Sequence, residues 1–242
     1  MAPGGDFHLF ALTIAGGRGE RLKPFTDSMP KAMVPVNERP LISYQVAWFK
    51  RQGVTDVVFL CGYKGEEIQE YFGDGQRFGI RAHYSFEKEP LGRGGAVRKG
   101  MELVPASEQT VIVTNGDNVT TQSLAELVNL HRKQRVTATM MLVPFRSQYG
   151  VVETDDAGLV TAFVEKGALP FWINAGVYVF DRSIRTCLPE KGDHETTTFP
   201  ALARERKIAA LQSTAFWMTV DSSKDLREVS ERLKADPAGI PH

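Results

Sequence analysis

Residues 8–36 read HLFALTIAGGRGERLKPFTDSMPKAMVPV, and the fold is decided at the join between the first seven and the rest. Residues 8–14 are an apolar, β-prone run that reads as a strand. At Ala15 the pattern breaks: Gly16, Gly17 and Gly19 follow with Arg18, Arg21, Lys23 and Lys31, among prolines that forbid a continuous helix. A strand that empties into glycines and cations fits the carboxyl end of a strand in an open α/β sheet, where such sheets bind ligands. Glycine lets successive backbone N–H groups turn into one concavity that can hold an anion, and Arg21 and Lys31 supply charge. The spacing is neither G-x-G-x-x-G nor the loop ending in Gly-Lys-Ser/Thr, so neither of those mechanisms transfers.

Working outward, residues 56–61, 110–114 and 136–143 also read as strands, and 41–52, 66–71, 94–103 and 123–133 have helical spacing. Pro40 stands at a helix start and Gly53 at a stop. The alternation predicts an α/β fold with parallel strands and helices on both faces. After Gln148 the grammar changes. Residues 149–165 alternate in two halves around DDAG, a hairpin signal, 175–180 read as a strand, and 223–234 as a closing helix. Trp48 and Phe49 read as core. His131 shares the stripe of Leu124, Leu127 and Val128 and reads as a core-edge residue rather than a ligand.

Composition excludes several function classes. Lysine plus arginine equals aspartate plus glutamate at 29 each, so no global field favours nucleic acid or a membrane surface, and any anion site must be local. Cys61 and Cys187 are the only cysteines and lack metal-ligand spacing, which argues against a disulfide framework and for a reducing compartment. No apolar run approaches the ~18 residues of a membrane span, and MAPGGDFH has no signal-peptide pattern. The expectation is a soluble, cytoplasmic protein.

Five motifs in order then carry a resemblance. AGGRGERLKPFTDSMPKAMVPV with ERPLISY, EPLGRGGAV, VTNGD, YGVVETDDAG with FVEK, and INAGVYVFD resemble the signatures of the sugar-1-phosphate nucleotidyltransferases. Within that family they look most like mannose-1-phosphate and heptose-1-phosphate guanylyltransferases. The resemblance covers nearly the whole chain. It implies the nucleotide-diphospho-sugar transferase fold, a Rossmann-like mixed, mainly parallel sheet flanked by helices with an antiparallel sugar-binding lobe. One domain, 1–242, is expected, with 1–145 mainly nucleotide-binding and 146–242 mainly sugar lobe and closing helix.

The implied reaction is attack by a sugar 1-phosphate on the α-phosphorus of a nucleoside triphosphate, GTP favoured, with Mg2+ as cofactor. The resemblance assigns Arg21, Lys31, Asp117 and Lys166 to catalysis. Ala15, Gly16, Gly17, Gly19, Arg21, Lys31, Glu89, Pro90, Gly92, Asn115 and Asp117 would bind the nucleotide. Tyr149, Gly150, Glu165, Lys166, Asn174 and Gly176 would bind the sugar. Glu165 and Lys166 are neighbours, so both reach one substrate only where their strand ends or distorts. The metal would be held by Asp117, at the end of a strand; Asp221, two residues past the family's second metal position and on the same strand face, is the candidate second ligand.

Four departures from the family pattern stand beside these assignments. Glu20 replaces a threonine next to Arg21, either facing the triphosphate or pairing with an arginine. Ala32 replaces a proline, a mild change. Arg93 replaces a threonine and adds a cation near the nucleotide or sugar edge. Most serious, WMTVDSSKDL puts Thr219 where the family carries its second metal aspartate, leaving Asp221 displaced by roughly 7 Å of backbone. Two alternatives follow: a non-catalytic nucleotide-sugar-binding homologue, and a cytidylyltransferase or other base specificity. The partners implied are small molecules, and a homodimer is compatible with the sequence.

Overall fold

In the computed structural model residues 9–235 are described, so His8 of the first expected strand lies outside the described residues. Strand β1 (Leu9–Ile14) is apolar on both faces because it lies inside the sheet, with Ala11 packed into the core on one side and Leu12 into the core on the other. The glycine loop follows, and a two-residue pair, β2 (Pro35–Val36) and β3 (Arg39–Pro40), delivers the chain to helix α1 (Leu41–Arg51). Trp48 and Phe49 are buried there.

Strand β4 (Val54–Cys61), helix α2 (Gly65–Phe72) and strand β5 (Arg81–Phe86) complete one side of the sheet. Helix α3 (Gly92–Gly100) begins earlier than its spacing suggests, and its last turn tightens to a 3-10 turn at Met101–Leu103. Strand β6 (Thr110–Asn115) leads through a sharp turn to β7 (Asn118–Thr120), helix α4 (Leu124–Gln134) and strand β8 (Ala138–Arg146). His131 is buried in α4, with Nδ1 3.0 Å from the Thr139 hydroxyl.

The expected hairpin is present as β9 (Val151–Thr154) and β10 (Val160–Val164), closed by Asp155 N–H donating to the Leu159 carbonyl at 2.9 Å. It forms its own two-stranded sheet. A long strand β11 (Ala168–Asp181) returns to the main sheet, followed by helix α5 (Thr198–Arg204), strands β12 (Ile208–Gln212) and β13 (Trp217–Thr219), and helix α6 (Ser223–Ala235).

The main sheet has seven strands in the order β12-β8-β11-β6-β1-β4-β5. Strand β1 runs parallel to β4 and β6, β4 to β5, and β8 to β12, while β11 is antiparallel to both its neighbours. From β1 the chain moves outward through β4 and β5 and then crosses back to β6. The carboxyl ends of β1 and β6 therefore flank the point where strand order reverses, which opens a crevice in sheets of this kind.

Buried Gln45 of α1 spans that point. It accepts the Thr13 hydroxyl hydrogen at the end of β1 and donates to the Asn115 carbonyl at the end of β6 at 2.8 Å. A smaller apolar cluster joins Leu22, Val34 and Val36 of the loop segment to Val119, Val220, Val229 and Leu233. That packing fixes the glycine loop against β7, β13 and α6.

Candidate active site

The crevice is a cavity of about 600 Å³ lined by the glycine loop, Lys31, Pro90, Gly92, Arg93, Asn115, Gly116, Asp117 and Asp221. Its size suits a nucleotide-class ligand. In the glycine loop the carbonyls have partners: that of Gly16 accepts from Tyr63 N–H at 3.3 Å, that of Gly17 from Lys31 N–H at 3.4 Å and that of Gly19 from Leu22 N–H at 2.8 Å. The N–H groups of Gly16, Gly17, Arg18 and Gly19 have no acceptor among the described residues. Donors left open beside a cavity are what an anion requires.

Only Gly19 of these glycines takes the left-handed conformation, at φ +65°, and a Cβ there would stand 2.8 Å from Lys31 Cβ. A Cβ at Gly17 would meet nothing within 4 Å. Glycine at that position leaves room in the cavity rather than satisfying a backbone constraint, which narrows the sequence argument to Gly19.

Lys31 is the hub. Its ammonium donates to Asp117 Oδ2 at 2.5 Å and to Asp221 Oδ1 at 2.6 Å. Asp221 Oδ1 also lies 3.0 Å from Arg21 Nη2. Burial works against the Lys31 charge, but the two carboxylates outweigh it and hold its pKa above the ordinary lysine value. Asp221 reaches this point because β13 pairs antiparallel with β7, Thr219 opposite Asn118, and Val220 N–H donates to the Asp117 carbonyl at 3.1 Å. The ladder sets Asp221 beside Asp117 despite its offset from position 219. Asp225 fixes the turn, accepting from Asp221 N–H at 3.0 Å and Ser222 N–H at 2.8 Å.

The end of β6 carries three buried polar atoms without a hydrogen-bond partner: Thr114 Oγ1, Asn115 Oδ1 and Asp117 Oδ1. Such atoms are uncommon in folded proteins, and three in four residues mark a place where something else bonds. Asp117 and Asp221 are the carboxylates that could hold a divalent ion preferring oxygen donors: both contact the Lys31 ammonium, and buried Asp117 Oδ1 has no hydrogen-bond partner.

Other sequence-predicted residues fall in different places. Pro90 and Gly92 line the cavity, whereas Glu89 is exposed and held by Lys191 at 2.8 Å. Glu87 takes the inner position because β5 ends at Phe86. Its carboxylate accepts Leu91 N–H at 2.9 Å and lies against Gly16. Arg93 reaches the cavity but its charge is tied to Asp193 and, at 2.8 Å, to Glu195. Glu20 lines the cavity and forms no ion pair with an arginine among the described residues.

The expected sugar group divides. Gly176, at φ +69°, sits where a Cβ would lie 2.4 Å from Asn115 Nδ2, so that part of β11 abuts the cavity wall. Asn174 donates to the Tyr178 hydroxyl at 2.8 Å and to Glu195 at 3.0 Å, in a network with Arg93 that sequence reading missed. Tyr149, Gly150, Glu165 and Lys166 flank the two hairpin strands and do not line the cavity. Tyr149 is 80% exposed. The geometry asked of Glu165 and Lys166 is met: β10 ends at Val164 and Lys166 has φ +53°.

Comparison with known proteins gives one family model, described as nucleotidyl transferase, matching residues 10–236. The D-glycero-alpha-D-manno-heptose 1-phosphate guanylyltransferase of Aneurinibacillus thermoaerophilus is 32% identical over 229 residues, covering 93% of this chain and 98% of that protein. A mannose-1-phosphate guanylyltransferase of Mycobacterium tuberculosis is 32% identical over 239 residues, covering 96% of this chain and 66% of that protein. Among solved structures, a putative glucose-1-phosphate thymidylyltransferase from Bacillus anthracis superimposes with a TM-score of 0.75 at 20% identity, covering 93% of this chain and 94% of that one. That likeness is one of fold.

Proposed function

The chain belongs to the nucleotidyl transferase family, and from that premise we propose that it transfers a guanylyl group from GTP to a mannose- or heptose-type sugar 1-phosphate. The products are a nucleotide sugar and pyrophosphate. The observation that carries this reading is the Lys31 ammonium held between Asp117 and Asp221 beside the open N–H groups of the glycine loop. The names of the heptose and mannose relatives support the choice of base and sugar.

The reaction joins two anions. An oxygen of the sugar phosphate forms a bond to the α-phosphorus, and the bond from the α-phosphorus to the bridging oxygen breaks, its electrons leaving with pyrophosphate. A phosphate monoester has a second pKa of about 6, so the nucleophile is already ionised near pH 7 and no protein base is required. At an effective dielectric constant of about 20, two unit charges about 4 Å apart repel by roughly 4 kcal/mol, and neutralising that repulsion is the main task. The loop N–H groups from Gly16 to Gly19 would hold the triphosphate, with Arg21 and Lys31 adding positive charge as negative charge builds on the transferring group. Asp117 and Asp221 would hold Mg2+, which when bound neutralises phosphate oxygens and orients them. Lys166, Glu165, Tyr149 and Gly150 would serve the sugar phosphate from the hairpin side, and Asn174 and Gly176 from β11.

Among the described residues no helix is long and apolar enough to cross a membrane. The two cysteines are free, which supports a reducing, cytoplasmic setting for small-molecule chemistry. A pyrophosphate-release assay across the common triphosphates with mannose 1-phosphate and heptose 1-phosphate, with and without Mg2+, tests the proposal. Metal-dependent release with GTP and one of these sugars is expected. Tight GTP binding without release would instead identify a non-catalytic binding protein, and preferential use of CTP would move it to another substrate class.

A further inference from the structure

A second cavity, of about 380 Å³, lies along α1 and shares no lining residue with the first. Four of its lining residues are cations, Arg39, Lys50, Arg51 and Arg77, and none is acidic. In a chain whose formal charges balance to zero this is a local excess. Among the described residues none of the four lies within 4.0 Å of a carboxylate. The negative end of the α1 dipole accounts for two of them at most, since only Lys50 and Arg51 belong to its last turn. Arg39 precedes the helix and Arg77 comes from the turn after α2.

Of these exposed cations, Arg77 is held in place. Arg77 Nη2 donates to the Tyr71 carbonyl at 2.8 Å, and its guanidinium carbon lies 5.5 Å from the Tyr71 ring centre and 4.8 Å from that of Phe78. The exposed Lys50 side chain runs beside Gly79, where an added Cβ would be 2.7 Å from Nζ. Donors fixed in advance lose less entropy when a ligand arrives. With Arg77 covering the aromatic faces, the groove offers charge and N–H donors rather than a stacking surface for a base.

We propose that this groove is a second binding site, for a small phosphorylated anion carrying two or more charges. Pyrophosphate and the diphosphate of a nucleotide share that chemistry. On the opposite side of the same helix Gln45 ties Thr13 to Asn115, a residue that lines the crevice. Binding here needs no turnover, and it is separable from the guanylyl-transfer reading.

The test is calorimetric titration of pyrophosphate, GDP and inorganic phosphate without divalent metal, at low and physiological salt. It compares wild type, the groove variant Arg39→Ala/Lys50→Ala/Arg51→Ala, the milder Arg39→Gln/Arg51→Gln, and the crevice variant Lys31→Met. Thermal melting checks that each variant is folded. Wild type should bind two equivalents of pyrophosphate. Both groove variants should weaken one of them at least tenfold, and Lys31→Met should retain it. Equal affinity for pyrophosphate and GDP assigns recognition to the phosphates, and a clear preference for GDP assigns part of it to the nucleoside. A single equivalent lost in Lys31→Met and indifferent to the groove variants overturns the proposal. So does binding of an acidic protein or nucleic acid at the groove with none of the three small anions.

Discussion

Asp117 and Asp221 end on one ammonium: Lys31 Nζ lies 2.5 Å from Asp117 Oδ2 and 2.6 Å from Asp221 Oδ1. Asp117 lies in the turn from β6 to β7 and Asp221 just past β13, and the β7–β13 ladder makes them neighbours.

Lys31→Met removes the charge from the crevice without removing the stem that packs near Gly19. Turnover should fall by roughly 100- to 1,000-fold, the usual loss when a preorganised donor to a transferring group is deleted. Steady-state kinetics and circular dichroism check it. Loss of less than about threefold in turnover would be incompatible with the role given to Lys31.

The two aspartates should not be equivalent. Asp117 Oδ1 is buried without a partner, while Asp221 is more exposed and shared with Arg21. Asp117→Asn should abolish measurable turnover and leave the fold intact. Asp221→Asn should cost about tenfold, or about 1.4 kcal/mol, and raise the Mg2+ concentration needed for half-maximal rate. Near-wild-type turnover in Asp117→Asn would remove the metal assignment.

Gly19 and Gly17 separate conformation from space. Gly19→Ala forces a left-handed alanine and a contact with Lys31 Cβ, so it should cost about 1–2 kcal/mol and lower the melting temperature by several degrees. Gly17→Ala should leave stability within about 0.5 kcal/mol, because no atom stands in the way. Denaturant melts of both variants decide it, and equal destabilisation would contradict the loop geometry.

His194 is fully buried, and its ring nitrogens make no well-formed hydrogen bond, only a weak contact with the Arg93 backbone. Burial, with Arg93 partly offsetting the opposite pull of Asp193, pushes its imidazole from 6.5 down to about 4. A depressed folded pKa means the unfolded chain binds the proton first. The contribution to stability is whole above pH ~6.5, shrinks as pH falls toward ~4 and is gone below it, by up to about 3 kcal/mol. His194→Leu should have a flatter stability profile across that window in urea melts. Parallel profiles for wild type and variant would show that His194 does not titrate as its surroundings imply.

The parts visible in the sequence were those with strong local pattern: the apolar strands buried on both faces, the hairpin around DDAG, and the five ordered motifs that identify the family. Edge elements were hidden. Strand β5 mixes Arg81 and His83, which bond Asp56, into its alternation, and β12 is the alanine-bearing edge IAALQ with weak strand preference. Helix α5 carries Pro200 in its first turn, which breaks the pattern for a reader of spacing. At the site, Glu87 and Glu89 look alike in sequence, and only the end of β5 sets which one faces inward. Arg93 reads as a free cation, yet Asp193 and Glu195, far along the chain, take up its charge. Long-range pairing of this sort leaves no local trace.

The most direct measurement follows labelled α-phosphate from GTP into product by anion-exchange chromatography. It uses mannose 1-phosphate and heptose 1-phosphate as acceptors, in the presence and absence of Mg2+, for wild type and Asp117→Asn. A guanosine diphosphate sugar formed only by wild type with metal is the predicted result. Label that stays in GTP with both acceptors, or moves equally well in Asp117→Asn, would contradict the assignment of the crevice between β1 and β6 as the transfer site.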